Sequence, residues 1–455
     1  MELSRIIADF VVRTKYEDLP DEVVEFTKHC ILDYFASAIA GSNEAPIQML
    51  RELIDELGGH EQATLITGGK TSVAQAAFFN GATSHIVELD DIHKASIIHA
   101  ATVVIPAALA LAEWKNRSGK DLILAIVLGY EVCYRIGEAV TSSHYYYWHN
   151  TATCGTFGAT VAASKLLNLS ANQIVHALGS AGTQAAGLWE FIEDGAMSKQ
   201  LHPGKAAMNG VYSALLAEKG FTGASKILEG RRGFFEAMSE AYDLNKVTEG
   251  LGAGFKIMEN SFKVHASCRH THHVMDIAID LMENEPLNIQ DIEKIKVETY
   301  KVALDITDNM DPQSIYAAKF SIQFCTALAL VKKSGGLDDF NEETLNNPEI
   351  RNLMNKIEVI VEPTINQSYP HQWGAKLEID LIGGNRITKV TSFPKGDPEN
   401  PLTKQEYVKK FIKLTEKIGV FDDLTESINS LETVSTIKIL VESYTAKKNL
   451  VIHKR

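Results

Sequence analysis

The sequence has 455 residues, 45% of them apolar, and this length exceeds what a single hydrophobic core usually supports. Lys and Arg number 44 against 58 Asp and Glu, a formal net charge of −14, and no basic run forms a nucleic-acid-binding surface. We therefore expect two domains, no nucleic-acid partner, and a local cluster of cations wherever an anionic ligand binds.

The cysteines and the apolar runs indicate the compartment. Five scattered cysteines without a Cys-x-x-Cys pair argue against a disulfide framework, a zinc ribbon and an iron–sulfur cluster. The N-terminus lacks a basic region followed by an apolar one, and the longest near-apolar run, 100–112, is too short to cross a membrane. We expect a cytoplasmic protein without a membrane partner.

Apolar residues recur at helical spacing from about residue 20 to residue 260, beginning with a segment that Pro20 and Asp21 open. Ala and Gly on the packing faces favour close helix-on-helix contacts. This pattern predicts an all-helical domain over residues 1–264. Its further predicted helical stretches are 73–87, 100–112, 122–140, 156–167, 173–187 and 206–218.

After Phe262 the period of the apolar pattern changes to two, which predicts strands at 295–300, 357–362 and 377–382. Gly383-Gly384-Asn385 then predicts a hairpin into residues 387–393. Helical stretches are predicted near 272–283, 317–332 and 342–356. The fold class is therefore mainly α, with a large all-helical domain plus a smaller α+β lid domain at 265–394, and with 395–455 completing the helical domain.

Titratable groups are densest between Glu88 and His99, where three carboxylates, two imidazoles and an ammonium precede an apolar helix. Burying charges is costly unless they are paired, so such a cluster often marks a functional site. A solvated loop with a capped helix explains the segment equally well.

Two other segments concentrate cations. In 197–207, Lys199, His202 and Lys205 surround Pro203, which suits a helix start that could bind a carboxylate; a capped helix with extended lysines is the alternative. In 262–273, six of the twelve residues are Lys, Arg or His. The Cys and His spacings there do not fit zinc motifs, so we expect anion binding or acid–base chemistry.

Several familiar nucleotide and hydrolase motifs are absent. Gly250–Phe255 does not fit the dinucleotide fingerprint, and Gly69-Lys70-Thr71 lacks the first glycine of a phosphate-binding loop. No Gly-x-Ser-x-Gly elbow occurs. The sequence therefore does not support a dinucleotide-binding enzyme, a phosphate-binding-loop enzyme or an α/β-hydrolase.

The motifs together resemble the MmgE/PrpD family, which includes cis-aconitate decarboxylases, 2-methylcitrate dehydratases and an iminodisuccinate epimerase. The resemblance implies a large helical domain with an α+β lid, a homodimer, and an active site between the domains. The matching pieces, in the family's order, are 16–24, 88–99, 148–158, 201–207, 268–272, 319–321 and 394–402.

The resemblance also implies site residues. Because the cysteines are not clustered, we expect no iron–sulfur centre, and no metal or other cofactor. The expected catalytic residues are His99, His149, Lys199 and Lys263. The expected substrate-binding residues are Glu88, Asp90 and Asp91 from the resemblance, His202 from the segment 197–207, and Cys268, Arg269 and His270 from the segment 262–273, where Arg269 and His270 are alternative cations.

Three departures from the decarboxylases matter. Ile92 stands where they have Thr, Cys268 where they have His, and Phe324 where they have Tyr on a later helix. These differences argue against simply transferring cis-aconitate decarboxylation to this chain.

Decarboxylation, dehydration and epimerisation of a small polycarboxylate all develop negative charge beside a carboxylate, which fixed Lys, Arg and His donors stabilise. The leading hypothesis is a metal-independent lyase, a dehydratase or decarboxylase, acting on a small di- or tricarboxylate substrate. The alternative is an epimerase of an imino- or amino-dicarboxylate. A non-catalytic carboxylate-binding protein and a metal-dependent hydrolase are further alternatives.

Overall fold

The computed structural model describes residues 2–140, 142–285 and 287–441. The protein is mainly α-helical, as predicted, and its chain folds into two compact units. Within the described ranges no helix is both long and apolar enough to cross a membrane.

The chain passes from one unit to the other after residues 86, 89, 260 and 403. Unit 1 comprises the described residues of 1–86, 90–260 and 404–455, whereas unit 2 comprises those of 87–89 and 261–403. The predicted closing segment 395–455 therefore begins in unit 2, and its residues 442–455 lie outside the described chain. The tripeptide 87–89 joins unit 2 although its neighbours in sequence belong to unit 1.

Unit 1 is built from helices, with short strands at its edges. The strands are β1 (Ala63–Thr64) and β2 (Lys70–Thr71), which pair antiparallel, and β3 (Ile92–His93); β4 (Asn260–Ser261) carries the chain into unit 2. The helices are α1 (Leu3–Arg13), α2 (Asp21–Gly41), α3 (Ala45–Leu57), α4 (Val73–His85), α5 (Ala101–Trp114), α6 (Gly119–Ala139), α7 (Ser142–Tyr147), α8 (Asn150–Leu166), α9 (Ala171–Gly182), α10 (Phe191–Asp194), α11 (Leu201–Glu218), α12 (Phe234–Met238) and α13 (Asn245–Thr248).

Unit 2 combines a four-stranded sheet with seven helices in its described part. Its helices are α14 (His272–Asn284), α15 (Lys301–Thr307), α16 (Ile315–Lys319), α17 (Ile322–Lys332), α18 (Glu342–Leu345), α19 (Pro348–Met354) and α20 (Pro363–Ser368). Its strands are β5 (Ile292–Thr299), β6 (Ile357–Val361), β7 (Ala375–Leu381) and β8 (Arg386–Thr391). The chain then returns to unit 1 as α21 (Lys404–Thr415) and α22 (Asp422–Asn429).

The sheet of unit 2 has the order β6-β5-β7-β8, with β5 and β6 parallel and the other pairs antiparallel. The hairpin predicted around Gly383-Gly384-Asn385 is confirmed, because β7 and β8 pair directly, with Ile379 opposite Ile387. Both glycines of its turn have positive φ, which L side chains rarely adopt.

Two predicted helices of unit 2 are each divided in two by a capping residue. The stretch 317–332 breaks at Ser321, whose hydroxyl accepts the backbone N–H of Phe324 and starts α17. The stretch 342–356 breaks at Asn347, which caps α19 ahead of Pro348. Local side-chain hydrogen bonds thus override the longer apolar period.

Small residues let the helices of unit 1 approach closely. A Cβ placed on Gly158 of α8 would lie 2.7 Å from the carbonyl oxygen of Gly129 on α6. A Cβ on Gly210 of α11 would lie 2.4 Å from the Cβ of Ala159 on α8. Helix α5, which is buried from Ala101 to Glu113, lies in the core of this unit. The predicted contacts through Ala and Gly are confirmed.

We expect Gly210→Ala to lower the free energy of unfolding by about 1–3 kcal/mol, because the added methyl group overpacks the contact between α8 and α11. Urea denaturation followed by circular dichroism measures the change. Gly254→Ala is the matched control, since nothing lies within 4 Å of the position its Cβ would take. Equal losses in the two variants would contradict this account of the packing.

Candidate active site

Unit 1 holds a group of buried titratable side chains, here called the histidine cluster. His85 ends α4, His149 precedes α8, and His202 lies in the first turn of α11. All but the partly exposed His202 are buried, the most exposed of them being His99 at 8%. The members of the cluster are His85, Asp90, His99, His149, Lys199 and His202.

One carboxylate joins two of these imidazoles. Oδ2 of Asp90 lies 2.8 Å from Nδ1 of His85 and 2.9 Å from Nδ1 of His99. Nδ1 of His99 also lies 2.6 Å from the carbonyl oxygen of Asp91. A carbonyl only accepts hydrogen bonds, so this nitrogen carries the proton, and Nε2 has the lone pair in the neutral ring.

His149 and His202 form a second pair, whose Nδ1 atoms are 3.1 Å apart, so that one ring donates to the other. Burial is the main cause that lowers the pKa of His149 well below its usual value, and neighbouring positive groups, Lys199 among them, add to it. The same causes lower the pKa of His202 to about 4. Both rings are therefore neutral hydrogen-bonding groups near neutral pH.

Asp91 was predicted to bind substrate, but the structure gives it a different role. Its carboxylate accepts hydrogen bonds from the backbone N–H of Ala101, the hydroxyl of Tyr130 and the side-chain amide of Asn260, at 3.1, 2.8 and 2.7 Å. Complete burial raises its pKa to about 7. Asp91 therefore anchors the segment that precedes α5, and these three donors to its carboxylate lie outside the histidine cluster.

The segment around Asp90 has unusual backbone geometry. Glu88 and Ile97 have φ values of 60° and 53°, in the left-handed region that non-glycine residues rarely adopt. Such geometry needs surrounding contacts to hold it and is common at functional sites. Ile92 lies within the segment as a buried apolar residue of β3.

Unit 2 has its own buried group, here called the lysine cluster, formed by Glu88, Lys263, Cys268, Tyr316 and Lys319. Nζ of Lys263 lies 3.2 Å from Oε2 of Glu88, and Lys319 donates to the carbonyl of Val87 at 3.3 Å. Burial raises the pKa of Tyr316, with Glu88 and Cys268 adding to the effect. These contacts tie the tripeptide 87–89 into unit 2.

Arg269 and His270 are not arranged as the predicted substrate-binding cations. Arg269 pairs with the buried carboxylate of Asp397 and donates to the carbonyl of Phe262. His270 stacks on Trp373 with ring centroids 4.4 Å apart, and its Nδ1 lies 2.7 Å from the hydroxyl of Tyr300. Both side chains therefore stabilise the interior of unit 2. In unit 1, Lys205 is likewise no part of a site, because it is exposed.

Three residues of these clusters have no role predicted from the sequence. His85 was counted only as part of a predicted helix, although it stands five residues before Asp90. Lys319 occurs in a motif used for the resemblance but received no role. Tyr316 was missed because Phe324 was aligned with a family tyrosine, and Phe324 is a core residue at 1% exposure.

Two groups of side chains have metal-like ligand geometry among the described residues, but in each the donors are engaged. In His85, Asp90 and His99, the Nδ1 lone pair of His99 is replaced by a proton donated to a carbonyl. Beside His93, the ammonium of Lys256 lies 3.0 Å from Glu138 and 3.1 Å from Glu259. These arrangements suit hydrogen bonding better than metal coordination.

Comparison with known proteins identifies the family. Residues 5–246 match the MmgE/PrpD N-terminal domain, and residues 265–434 match the MmgE/PrpD C-terminal domain. The chain belongs to the MmgE/PrpD family. The resemblance seen in the sequence motifs is thereby confirmed.

Several relatives in this family carry lyase names. The cis-aconitate decarboxylase-like protein oryM of Aspergillus oryzae is 28% identical over 96% of this chain and 95% of its own length. Human cis-aconitate decarboxylase is 26% identical over 94% of this chain and 91% of its own. The mitochondrial 2-methylcitrate dehydratase of Yarrowia lipolytica is 24% identical over 63% and 59% of the two chains.

The MmgE/PrpD membership changes how the departures are interpreted. Phe324 does not remove the tyrosine from unit 2, because Tyr316 places a buried hydroxyl beside Glu88 and Cys268. Ile92 and Cys268 are both buried.

We expect His202 to contribute to acid destabilisation. Its folded pKa of about 4 lies below the usual 6.5, so the unfolded chain binds a proton that the folded chain does not between these values. Stability is then lost as pH falls from about 6.5 to about 4. Urea denaturation at several pH values gives the free energy of unfolding as a function of pH. In this pH range its slope should be smaller in His202→Gln than in the wild type, by up to about 1.4 kcal/mol per pH unit. Equal slopes in the two proteins would contradict this assignment, and above about pH 7 the variant's slope should match the wild type.

Proposed function

We propose that the protein is a metal-independent lyase that dehydrates or decarboxylates a small di- or tricarboxylate. The observation that carries the proposal is the buried carboxylate of Asp90 bridging His85 and His99 in an MmgE/PrpD chain, with the buried Lys199 close enough to lower the pKa of His149. The relatives' names, decarboxylase and dehydratase, support this reaction class.

Because the chain carries a net negative charge, an anionic substrate must be held by local cations. The protein as a whole carries a net charge of −14, which repels polycarboxylates at long range. Lys199 in the histidine cluster and Lys263 in the lysine cluster are buried ammonium groups, whose interaction with a carboxylate is strengthened where water is excluded. We assign Lys199 to binding the substrate and to stabilising the negative charge that develops on it, and we keep Lys263 as the candidate catalytic lysine of unit 2.

His99 is the proposed proton-transfer residue. Its Nδ1–H is fixed by the carbonyl of Asp91 and the carboxylate of Asp90, so Nε2 is the nitrogen that exchanges protons with the substrate. His149 and His202, both neutral, serve as hydrogen-bond partners of the substrate's oxygen atoms. A dehydratase needs a base and then an acid, whereas a decarboxylase needs an acid that protonates the carbanion.

The substrate class is tested by incubating the protein with cis-aconitate, 2-methylcitrate and iminodisuccinate in deuterated water and following proton NMR spectra. New alkene signals from methylcitrate identify dehydration, and loss of a carboxylate from cis-aconitate identifies decarboxylation. Deuterium entering the α-carbon without a new skeleton would identify the epimerase alternative. Inactivity on all three compounds would contradict the lyase proposal, and loss of activity with a chelator would contradict metal independence.

The assigned residues are tested by substitution. We expect Lys199→Ala and His99→Gln each to lower kcat/KM by about 10²- to 10⁴-fold, because each removes a group that acts on the developing charge or the moving proton. Lys165→Ala is the matched control: its ammonium donates to the carbonyls of Val11 and Thr14, both at 2.7 Å, and supports only the end of α1. A loss below about tenfold would remove the tested residue from its role.

A further inference from the structure

His85 lies deeper in the histidine cluster than the residue assigned to proton transfer. Its side chain is fully buried, with 0% exposure, whereas the His99 side chain is 10% exposed. The two rings meet edge to face with centroids 4.9 Å apart. His85 therefore acts on the chemistry through its neighbours and not by touching the substrate.

The hydrogen bonds of His85 define its protonation. Nδ1 lies 2.8 Å from Oδ2 of Asp90, and Nε2 is buried without a hydrogen-bond partner among the residues that the structure describes. An imidazolium would leave a charged N–H stranded at Nε2, which costs far more than an unpaired lone pair. The ring is therefore neutral, with its proton on Nδ1, and it donates to Asp90.

Oδ2 of Asp90 therefore accepts hydrogen bonds from two donors, Nδ1–H of His85 and Nδ1–H of His99. Each donor lowers the electron density that Oδ2 can offer to the other, so the bond from His85 weakens the pull of the carboxylate on the proton of His99. It also fixes the carboxylate's orientation toward that ring.

We propose that His85 is a positioning residue of the proposed lyase: through Asp90 it orients His99 and limits how tightly that ring holds its proton. This inference rests on the proposed function for its kinetic test but not for its spectroscopic one. It adds a residue to which neither the motifs nor the relatives' names assign a role.

The charged groups around His99 set the direction of the effect. Its own segment supplies the carboxylates of Asp90 and Asp91, the latter turned toward Tyr130 and Asn260; α4 supplies His85. Helix α8 contributes the neutral ring of His149, at a centroid distance of 6.3 Å, and the hydroxyl of Thr151, which accepts the backbone N–H of His99. Lys199 and His202 act electrostatically on His149, and His85 acts on both His149 and His202. Of these groups, Asp90 is the anion whose strength His85 controls.

The test compares two substitutions of His85 that differ in one hydrogen bond. His85→Asn keeps an N–H donor at the position of Nδ1, whereas His85→Leu removes it. In His85→Leu, Asp90 attracts the His99 proton more strongly, so the titration of His99 should move upward by about one pH unit. In His85→Asn it should stay near the wild-type value.

Two measurements report this shift. Nitrogen-15 NMR titration of the imidazoles, assigned with His99→Gln, reads His99 directly and needs no turnover. The pH profile of kcat/KM with the substrate found active should show the limb due to His99 moving upward in His85→Leu and returning in His85→Asn, whether His99 serves as acid or as base.

His144→Leu is the control for losing a buried histidine. That ring is 0% exposed and bonds to Thr153 and to the carbonyl of Met238, outside the histidine cluster. It should leave the titration of His99 unchanged.

An unshifted His99 titration in a folded His85→Leu variant would overturn the inference, as would an equal shift in His85→Asn. If His85→Leu does not fold, His85→Gln, which displaces the donor from the Nδ1 position, replaces it and should show the same upward shift. A wild-type protein that turns over none of the carboxylates would refute the proposed function alone, because the NMR titration would still decide the role of His85.

Discussion

The structure of the candidate site depends on satisfying buried carboxylates. Asp90 and Asp91 are adjacent and both fully buried, and an ionised carboxylate survives there only with hydrogen-bond donors around it. The two residues obtain their donors from different places. Asp91 takes them from α5, α6 and the last residue of unit 1 before the chain leaves it, whereas Asp90 takes them from the histidines. Asp91 thereby holds the segment in the core, whereas Asp90 is hydrogen-bonded to the histidines of the proposed site.

Two residues with strained backbone lie on either side of these two carboxylates. Glu88 and Ile97 accept positive φ there without being glycine. Backbone strain of this kind is stable only when surrounding contacts over-determine it, and the hydrogen bonds of Asp91 provide such contacts.

Local patterns in the sequence predicted much of the fold. Helix α2 begins at Asp21, as Pro20 indicates, and the β7–β8 hairpin turns at the predicted glycines. The close contacts of Gly158 and Gly210 follow from the small residues on the helix faces. Capping by Ser321 and Asn347 divided helices that periodicity alone extended, because one side-chain hydrogen bond outweighs a weak continuation signal.

The site was less predictable, because a sequence does not show which polar groups use their hydrogen bonds on one another. Arg269 was interpreted as a cation available to substrate, yet its partner Asp397 is 128 residues away along the chain. Asp91 and Asp90 are indistinguishable in sequence and have opposite orientations in space. His85 carried no motif signal, and only its distance to Asp90 reveals its importance.

The tripeptide 87–89 has a consequence for dissecting the protein. Glu88 is the carboxylate paired with Lys263, and the carbonyl of Val87 accepts the ammonium of Lys319, so two buried lysines of unit 2 depend on residues that a cut near residue 260 would remove. A fragment spanning 261–403 would have to bury both cations without these acceptors, at a cost of several kcal/mol per ion. The two units thus alternate along the chain, and the continuous fragment 261–403 does not contain all of the smaller one.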